Sequence, residues 1–325
     1  MKRLILPLTL ICAVAFYACK KKTIEPEEEN EETTPIVTPE DPAPTFLSTI
    51  AYFNTWASQA DEFQFSADLG GTFTTQKGSV LTIPANAFSN IDNSITTGPI
   101  DIIIKEVYST KEMIQAGIYP ISGSVALNSG GQFFIEATSN GNALLVTDGV
   151  VLNFEIPAQA QDQNMDLFFG GPEVDSANWE QVDTIWSPTL SNFTFSSADD
   201  TYSIELDSLG WGNIDAFMFV NYFDCTFNLT GLTGLNDSNT TAFAVFKNQN
   251  SVWPTGVSPW GTISNNVITE THLADVPMNI IVISVENGQL YYGLLDVTPT
   301  QGTVYPINML ATTSANLDII IEGLE

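Results

Sequence analysis

The chain has 325 residues and carries 38 aspartates and glutamates against 9 lysines and arginines, a formal net charge of −29. A surface this acidic repels phosphate backbones and anionic lipid headgroups, so nucleic-acid binding is excluded and membrane attachment requires an apolar anchor. A single histidine excludes zinc sites built on paired imidazoles, while 44% hydrophobic residues and 20 phenylalanines suffice for one large or two moderate domains.

Residues 1–19 have the layout of an export signal. Lys2 and Arg3 precede an apolar run from Leu4 to Phe16 that is too short to span a bilayer comfortably, and Phe16-Tyr17-Ala18-Cys19 closes it just before Lys20-Lys21-Lys22. The arrangement resembles a bacterial lipoprotein signal, and the Ala-Cys-Lys-Lys-Lys opening is similar to lipoproteins of the Bacteroidetes group. The resemblance implies acylation of Cys19, attachment to the membrane through that lipid, and residence in the cell envelope at the outer membrane, facing either the periplasm or the surface. Loss of Lys2 and Arg3 with the signal leaves 7 cations against 38 anions, a net of −31, with no arginine. Cys12 leaves with the signal and Cys19 is blocked, so Cys225 is the remaining thiol and no internal disulfide is expected.

Residues 20–45 read as an acidic, proline-rich tether: Glu25-Pro26-Glu27-Glu28-Glu29-Asn30-Glu31-Glu32 is followed by Pro35, Pro39, Pro42 and Pro44. Charge repulsion and proline predict an extended, uncollapsed spacer. The acidic run also resembles the surface-export signals of some Bacteroidetes lipoproteins. Phe46, Ile50, Phe53 and Ala57 recur at helical spacing and predict one short helix.

From there the chain is mainly β, with few short helices expected. Short runs rich in β-branched and aromatic residues predict strands at 79–83, 100–107, 132–137, 150–156, 165–169, 202–206, 216–222 and 242–246. The lack of alternating helical patterns points to antiparallel β-sandwiches, not a βαβ sheet. Residues 46–160 are predicted to form one sandwich and 161–325 a second β-rich domain, with a boundary near 157–165. There Pro157 ends an apolar run and a polar stretch follows.

The strongest internal signature lies within the first of these. It reads Gly70-Gly71-Thr72-Phe73, then Gly78 to Phe88 through Pro84, then Gly98-Pro99 into Ile100–Val107. Pro84 has no ladder donor and ends its strand, leaving Ala87 and Phe88 to fold back over the sheet. The pattern resembles the ZU-type β-sandwich of ankyrins, netrin receptors and tight-junction scaffolds, and more closely its relatives in Bacteroidetes lipoproteins. Glu106 to Ser109, the run Gly130 to Ala137 with Asn140-Gly141, and the strand into Ile156-Pro157 extend it over roughly residues 66–157. The resemblance implies a module for protein–protein contact.

Leu209-Gly210-Trp211-Gly212-Asn213-Ile214-Asp215-Ala216-Phe217 resembles a segment that follows the sandwich in the same lipoproteins, but with Ile214 and Ala216 where those often carry Cys and Arg. Its residues otherwise suit a strand pinned by Trp211 and Phe217, with Gly210 and Gly212 permitting a bulge. Cys225, between apolar residues at strand spacing, is expected to be a buried packing residue. Trp179, Trp186, Trp253 and Trp260 fall in segments rich in Pro, Asn, Ser and Gly, where loops are expected. Trp253 and Trp260 are candidate stackers for a sugar ring, or else anchors of loops to the core.

His272, in Thr271-His272-Leu273-Ala274-Asp275, is expected in a turn. No Gly-x-Ser-x-Gly accompanies it, so no catalytic residue is assigned. Carboxylates are plentiful and so acidic a chain suits calcium, yet no spacing singles out a pair and no EF-hand-like loop appears, so no metal ligand and no cofactor are assigned. Asp175-Ser176-Ala177, Asp183-Thr184-Ile185 and Asp207-Ser208-Leu209 resemble Bacteroidetes O-glycan acceptor tripeptides, which implies Ser176, Thr184 and Ser208 as modification sites.

Near the end, Asn287-Gly288 between two apolar runs predicts a type I′ hairpin over 278–297. Leu317, Ile320, Ile321 and Leu324 favour a terminal helix behind a Ser314 cap over a strand at 318–322. The expected function is therefore a lipid-anchored binding or structural module that contacts another envelope protein. A carbohydrate-binding accessory of glycan uptake is the alternative.

Overall fold

The computed structural model of the protein describes residues 46–56, 60–158, 165–171, 180–181 and 193–324. Cys19, the tether, Ser176, Thr184, Trp179 and Trp186 lie outside the described residues. The fold is mainly β, with several largely antiparallel sheets and three short helices among the described residues. None of these helices is long and apolar enough to cross a membrane.

The first sandwich pairs a nine-stranded sheet with a five-stranded one. In the larger sheet the order runs Asp61–Ser66, Pro99–Val107, Val125–Ser139, Gly210–Phe217, Asp166–Gly171 and Glu180–Gln181. The smaller runs Phe193–Ser196, Thr201–Leu206, Leu152–Pro157, Val80–Ile83 and Gly71–Thr74. Period-two alternation aims one face of each strand inward. Ile100, Ile102, Ile104, Phe133, Ile135 and Ala137 meet Leu81, Leu152, Phe154, Ile156, Tyr202 and Ile204 in one core. The strand Val80–Ile83 stops before Pro84, and Ala87 and Phe88 return into that core, each 1% exposed.

Two ladders cross the boundary expected near residue 160. Leu152–Pro157 pairs antiparallel with Thr201–Leu206, and Val125–Ser139 pairs with Gly210–Phe217. The first sandwich therefore draws strands from residues up to 217. A polar stretch after a proline marks the end of a strand, and it looks the same whether the chain then leaves the sheet or returns to it.

The second sandwich packs a four-stranded sheet (Gly261–Ser264, Val267–Ala274, Tyr222–Thr230, Val304–Asn308) on a five-stranded one (Val252–Thr255, Thr240–Phe246, Met278–Glu286, Gln289–Val297, Leu310–Thr312). Its core includes Phe227, Ile268, Phe246, Trp253, Ile280 and Val282. One pair departs from antiparallel order: Tyr222–Thr230 and Val304–Asn308 run parallel. The hairpin at Asn287-Gly288 forms in the predicted register, Glu286 facing Gln289, with both turn residues at positive φ (50° and 81°).

A third apolar cluster joins the sandwiches. Val107, Leu127, Phe134, Phe168 and Trp211 on the outer face of the nine-stranded sheet meet Phe243, Val245, Ile281, Ile283 and Val285 on the outer face of the five-stranded sheet. Three helices fill the layer between: α1 (Thr49–Phe53), α2 (Thr110–Ala116) and α3 (Ser314–Glu322). This is why Thr240–Phe246 and Met278–Glu286 are buried along almost their whole length: both of their faces are covered.

The helices differ in detail from expectation. In the five-residue α1, capped by Ser48, Tyr52 is buried while Ile50 is 69% exposed. Helix α3 forms as expected, but Thr313 is its cap, accepting from Asn316 N at 3.2 Å. Helix α2 was not predicted, although Ser109 and Glu112 form a reciprocal capping box and Gly117 closes it in the left-handed region (φ 71°). The strand expected over 216–222 is split at 218–221, where the chain passes from one sandwich to the other.

Candidate functional site

An open concave surface of the first sandwich follows from a break in one ladder. Along one edge, Val125–Ser139 pairs with Pro99–Val107 without interruption from Gln132 to Thr138. Along its other edge it pairs with Gly210–Phe217 only as far as Ile135, and with Asn142–Val146 only at Thr138 and Ser139. Glu136 and Ala137 have no ladder partner on that side. The two neighbours diverge for local reasons. Gly210, at φ 122°, turns the chain out of the sheet towards the loop 207–209, which crosses to the smaller sheet. Asn142–Val146 swings away to pair with Phe88–Asn90.

The space between them is a groove of about 450 Å³ lined by Ile135, Glu136, Ala137, Leu144, Leu145 and Leu209, among others. A second hollow of about 490 Å³, under the turn at residues 147–151, shares Val146 and Asp207 with it. Ser208 also lines the groove and is exposed in its loop, the one predicted acceptor serine that the structure describes. The charged lining residues of the two hollows are Glu136, Asp148 and Asp207. Lys105, on the far side of the strand, is turned over the Phe134 ring, 5.9 Å from its centroid.

Exposed apolar side chains continue this surface. Ser89 faces Leu145 in one register and Ile95 in another, so the two flank it in a single row. Ser89 is buried between them, while Leu145 and Ile95 are 47% and 73% exposed and nearby Ile91 is 70% exposed.

The candidate tryptophans lie elsewhere, in the second sandwich. Trp253 is in the strand Val252–Thr255, not a loop, and is fully buried. Its neighbours are Trp260, with ring centroids 4.8 Å apart, and Tyr222 at 5.9 Å. Trp253 thus presents no face to a sugar. Trp260 sits in the following turn and is half-buried. His272 is not in a turn either. It lies on the strand Val267–Ala274, stacked on Tyr222 at 4.0 Å with rings 10° from parallel, and its Nε2 is 2.6 Å from the Ser124 carbonyl oxygen of the first sandwich. Beside it Glu270 accepts from Gly256 N at 2.8 Å and from His272 N at 3.1 Å. Burial raises its carboxyl above the usual range, and these backbone donors partly offset the shift. The aromatic cluster therefore joins strands and anchors a turn.

Cys225 is buried as expected, its thiol pushed up to about 11 by burial. In the segment Leu209–Phe217, Trp211 packs on Phe134 with centroids 5.3 Å apart. Gly212 admits the Phe133 ring: a Cβ there would lie 2.2 Å from Phe133 Cζ. A bulge falls between the two glycines as expected, where Gly212 faces Phe169 and Trp211 faces Gly171, and a second lies between Ile214 and Asp215 in the ladder with Val125–Ser139.

Two internal polar networks were not legible from spacing. Tyr108 donates to Glu106 and lies 2.7 Å from Ser79 Oγ, while Lys77 pairs with Glu112 and donates to the Glu106 carbonyl oxygen at 2.9 Å. Burial, then the Glu106 charge, raises the Tyr108 hydroxyl well above its ordinary value, so it stays a donor. On the outer face of the nine-stranded sheet, Ser129 donates to Asn213 Oδ1 at 2.9 Å and Asn213 donates to Asp215. Burial pushes the fully buried Asp215 carboxyl well above the carboxylate range. Both networks cross-link strands inside the fold. Among the described residues no three His, Cys, Asp or Glu side chains converge as a metal-holding group.

No family model matches the chain, and no curated protein matches it.

Proposed function

We propose that the chain is a lipid-anchored outer-membrane lipoprotein whose β-sandwiches, the first of them ZU-like, act without catalysis as a binding module for another envelope protein. The observation that carries this reading is the groove beside Glu136 and Ala137 with its apolar margin of Ile91, Ile95 and Leu145. Exposed apolar side chains beside an unpaired strand edge are a feature of interaction sites. The signal-like segment ending at Cys19 supports the anchor, and the acidic tether supports a spacer that holds the sandwiches off the membrane.

Cross-linking on intact cells followed by mass spectrometry tests the partner, with adducts expected on peptides of the first sandwich. Labelled fatty acid should enter the native protein and be lost on Cys19→Ala. Failure of the native protein to incorporate label refutes the anchor, and a chain with no cross-linked neighbour refutes the module.

A further inference from the structure

Resting on that reading of the chain as a binding module, we infer that the groove receives an extended peptide segment of the partner in which apolar side chains alternate with lysine or arginine. Three observations converge on this occupant.

The first is the backbone. In an antiparallel strand each residue sends its N–H and C=O to the same side, and successive residues alternate. One of the two residues Glu136 and Ala137 therefore directs both groups into the groove, since neither has a ladder partner there. An extended segment satisfies that pair by adding short strand-like pairing at the gap.

The second is shape and polarity. Leu144, Leu145, Val146 and Leu209 give the groove apolar walls, and about 450 Å³ holds the inward side chains of a segment about four to six residues long. Alternation follows, because side chains of an extended segment point to opposite sides.

The third is charge. Glu136, Asp207 and Asp148 are the charged residues lining the two hollows, with no cation among the lining, and the chain as a whole is strongly acidic. Outward side chains of the bound segment run past these carboxylates, which favours cations and rejects acids.

The test uses the full chain and two fluorescein-labelled octapeptides, one alternating lysine with valine and one alternating glutamate with valine, followed by fluorescence anisotropy. The lysine peptide is expected to bind at least about tenfold tighter than the glutamate peptide. Ala143→Trp adds bulk to a lining residue without changing charge and should abolish binding, while Glu136→Lys should weaken it about tenfold. Leu145→Lys, at a half-exposed position, gives a second groove variant that does not depend on Ala143→Trp folding.

Absence of binding, equal binding of the two peptides, or lysine-peptide binding that survives both groove variants overturns the assignment. The last outcome marks a general attraction to an acidic surface. Photo-cross-linkers placed at Leu145 and at exposed Thr262 of the other sandwich separate this inference from the broader reading. Adducts at Thr262 with none at Leu145 reject the groove and keep the binding module, and adducts at neither reject both.

Discussion

Trp253 separates a core residue from a ligand residue, because the two roles predict opposite results for one substitution. The ring is fully buried among Tyr222, Trp260 and the strands of the second sandwich. Burying an indole removes roughly 150–250 Å² from water, which at about 25 cal/mol per Å² is about 4–6 kcal/mol. Its Nε1 has no hydrogen-bond partner, and a lone buried donor costs about 1–3 kcal/mol. Truncation relieves that cost, so Trp253→Ala should destabilise by about 3 kcal/mol, in the usual range for such deletions. The melting temperature should fall by about 6–12 °C, read by far-UV circular dichroism so that the lost indole does not distort the signal. Trp253→Phe keeps most of the ring and removes the orphan donor, and should cost about 1 kcal/mol or less. A stability within about 1 kcal/mol of the parent for Trp253→Ala, with loss of glycan binding on an array, would refute the packing assignment.

Three other experiments probe the rest of the fold. Gly212→Ala forces a methyl group into the Phe133 ring and should cost about 1–3 kcal/mol in urea unfolding; Phe133→Leu should recover part of that loss in the double variant, and strict additivity would contradict the close approach. An unfolded aspartate titrates near about 3.9, whereas burial holds Asp215 well above this, so between the two values the folded state binds more protons. Stability from this group is therefore full below about pH 3 and falls as pH rises through the window, and Asp215→Asn should melt higher than the parent at pH 8 but not at about pH 3; a difference independent of pH would sink this. Cys225, with its thiol pushed up to about 11, should react with a thiol-specific disulfide reagent at pH 8 only after denaturant is added, and fast reaction of the native protein would contradict its burial.

Much of the strand content was legible because it is local. Alternating burial in Leu152–Pro157, the stop at Pro84 and the Asn287-Gly288 turn each depend on a few adjacent residues. What could not be read depends on partners distant in sequence. Leu152–Pro157 shows that one of its faces is buried, but not that its ladder continues to Thr201–Leu206. Thr240–Phe246 is apolar nearly throughout, yet no residue in it says that helices will cover its outer face. Trp253 was misplaced because Pro254 and Gly256 look like loop punctuation, whereas Gly256 lies just past the strand and the strand holding Pro254 pairs along one side only, where a proline is tolerated. The groove was the least legible feature, since it is made by two strands leaving a third at different points. Missed elements with a local signal include α2, announced by Ser109 and Glu112, and the alternating strands Asp61–Ser66 and Val267–Ala274.

The helical layer between the sandwiches sets an order of assembly. Helix α3 follows in sequence every strand it bridges, and Leu317 and Ile321 are fully buried in that layer beside Phe46, Tyr52 and Met113. During synthesis the strands of both sandwiches emerge before α3 does, so the part of their facing surfaces that α3 covers stays wet until it arrives. Closure of the joint then waits on α3, and a chain clipped before Ser314 is left with apolar surface that a chaperone or protease can find.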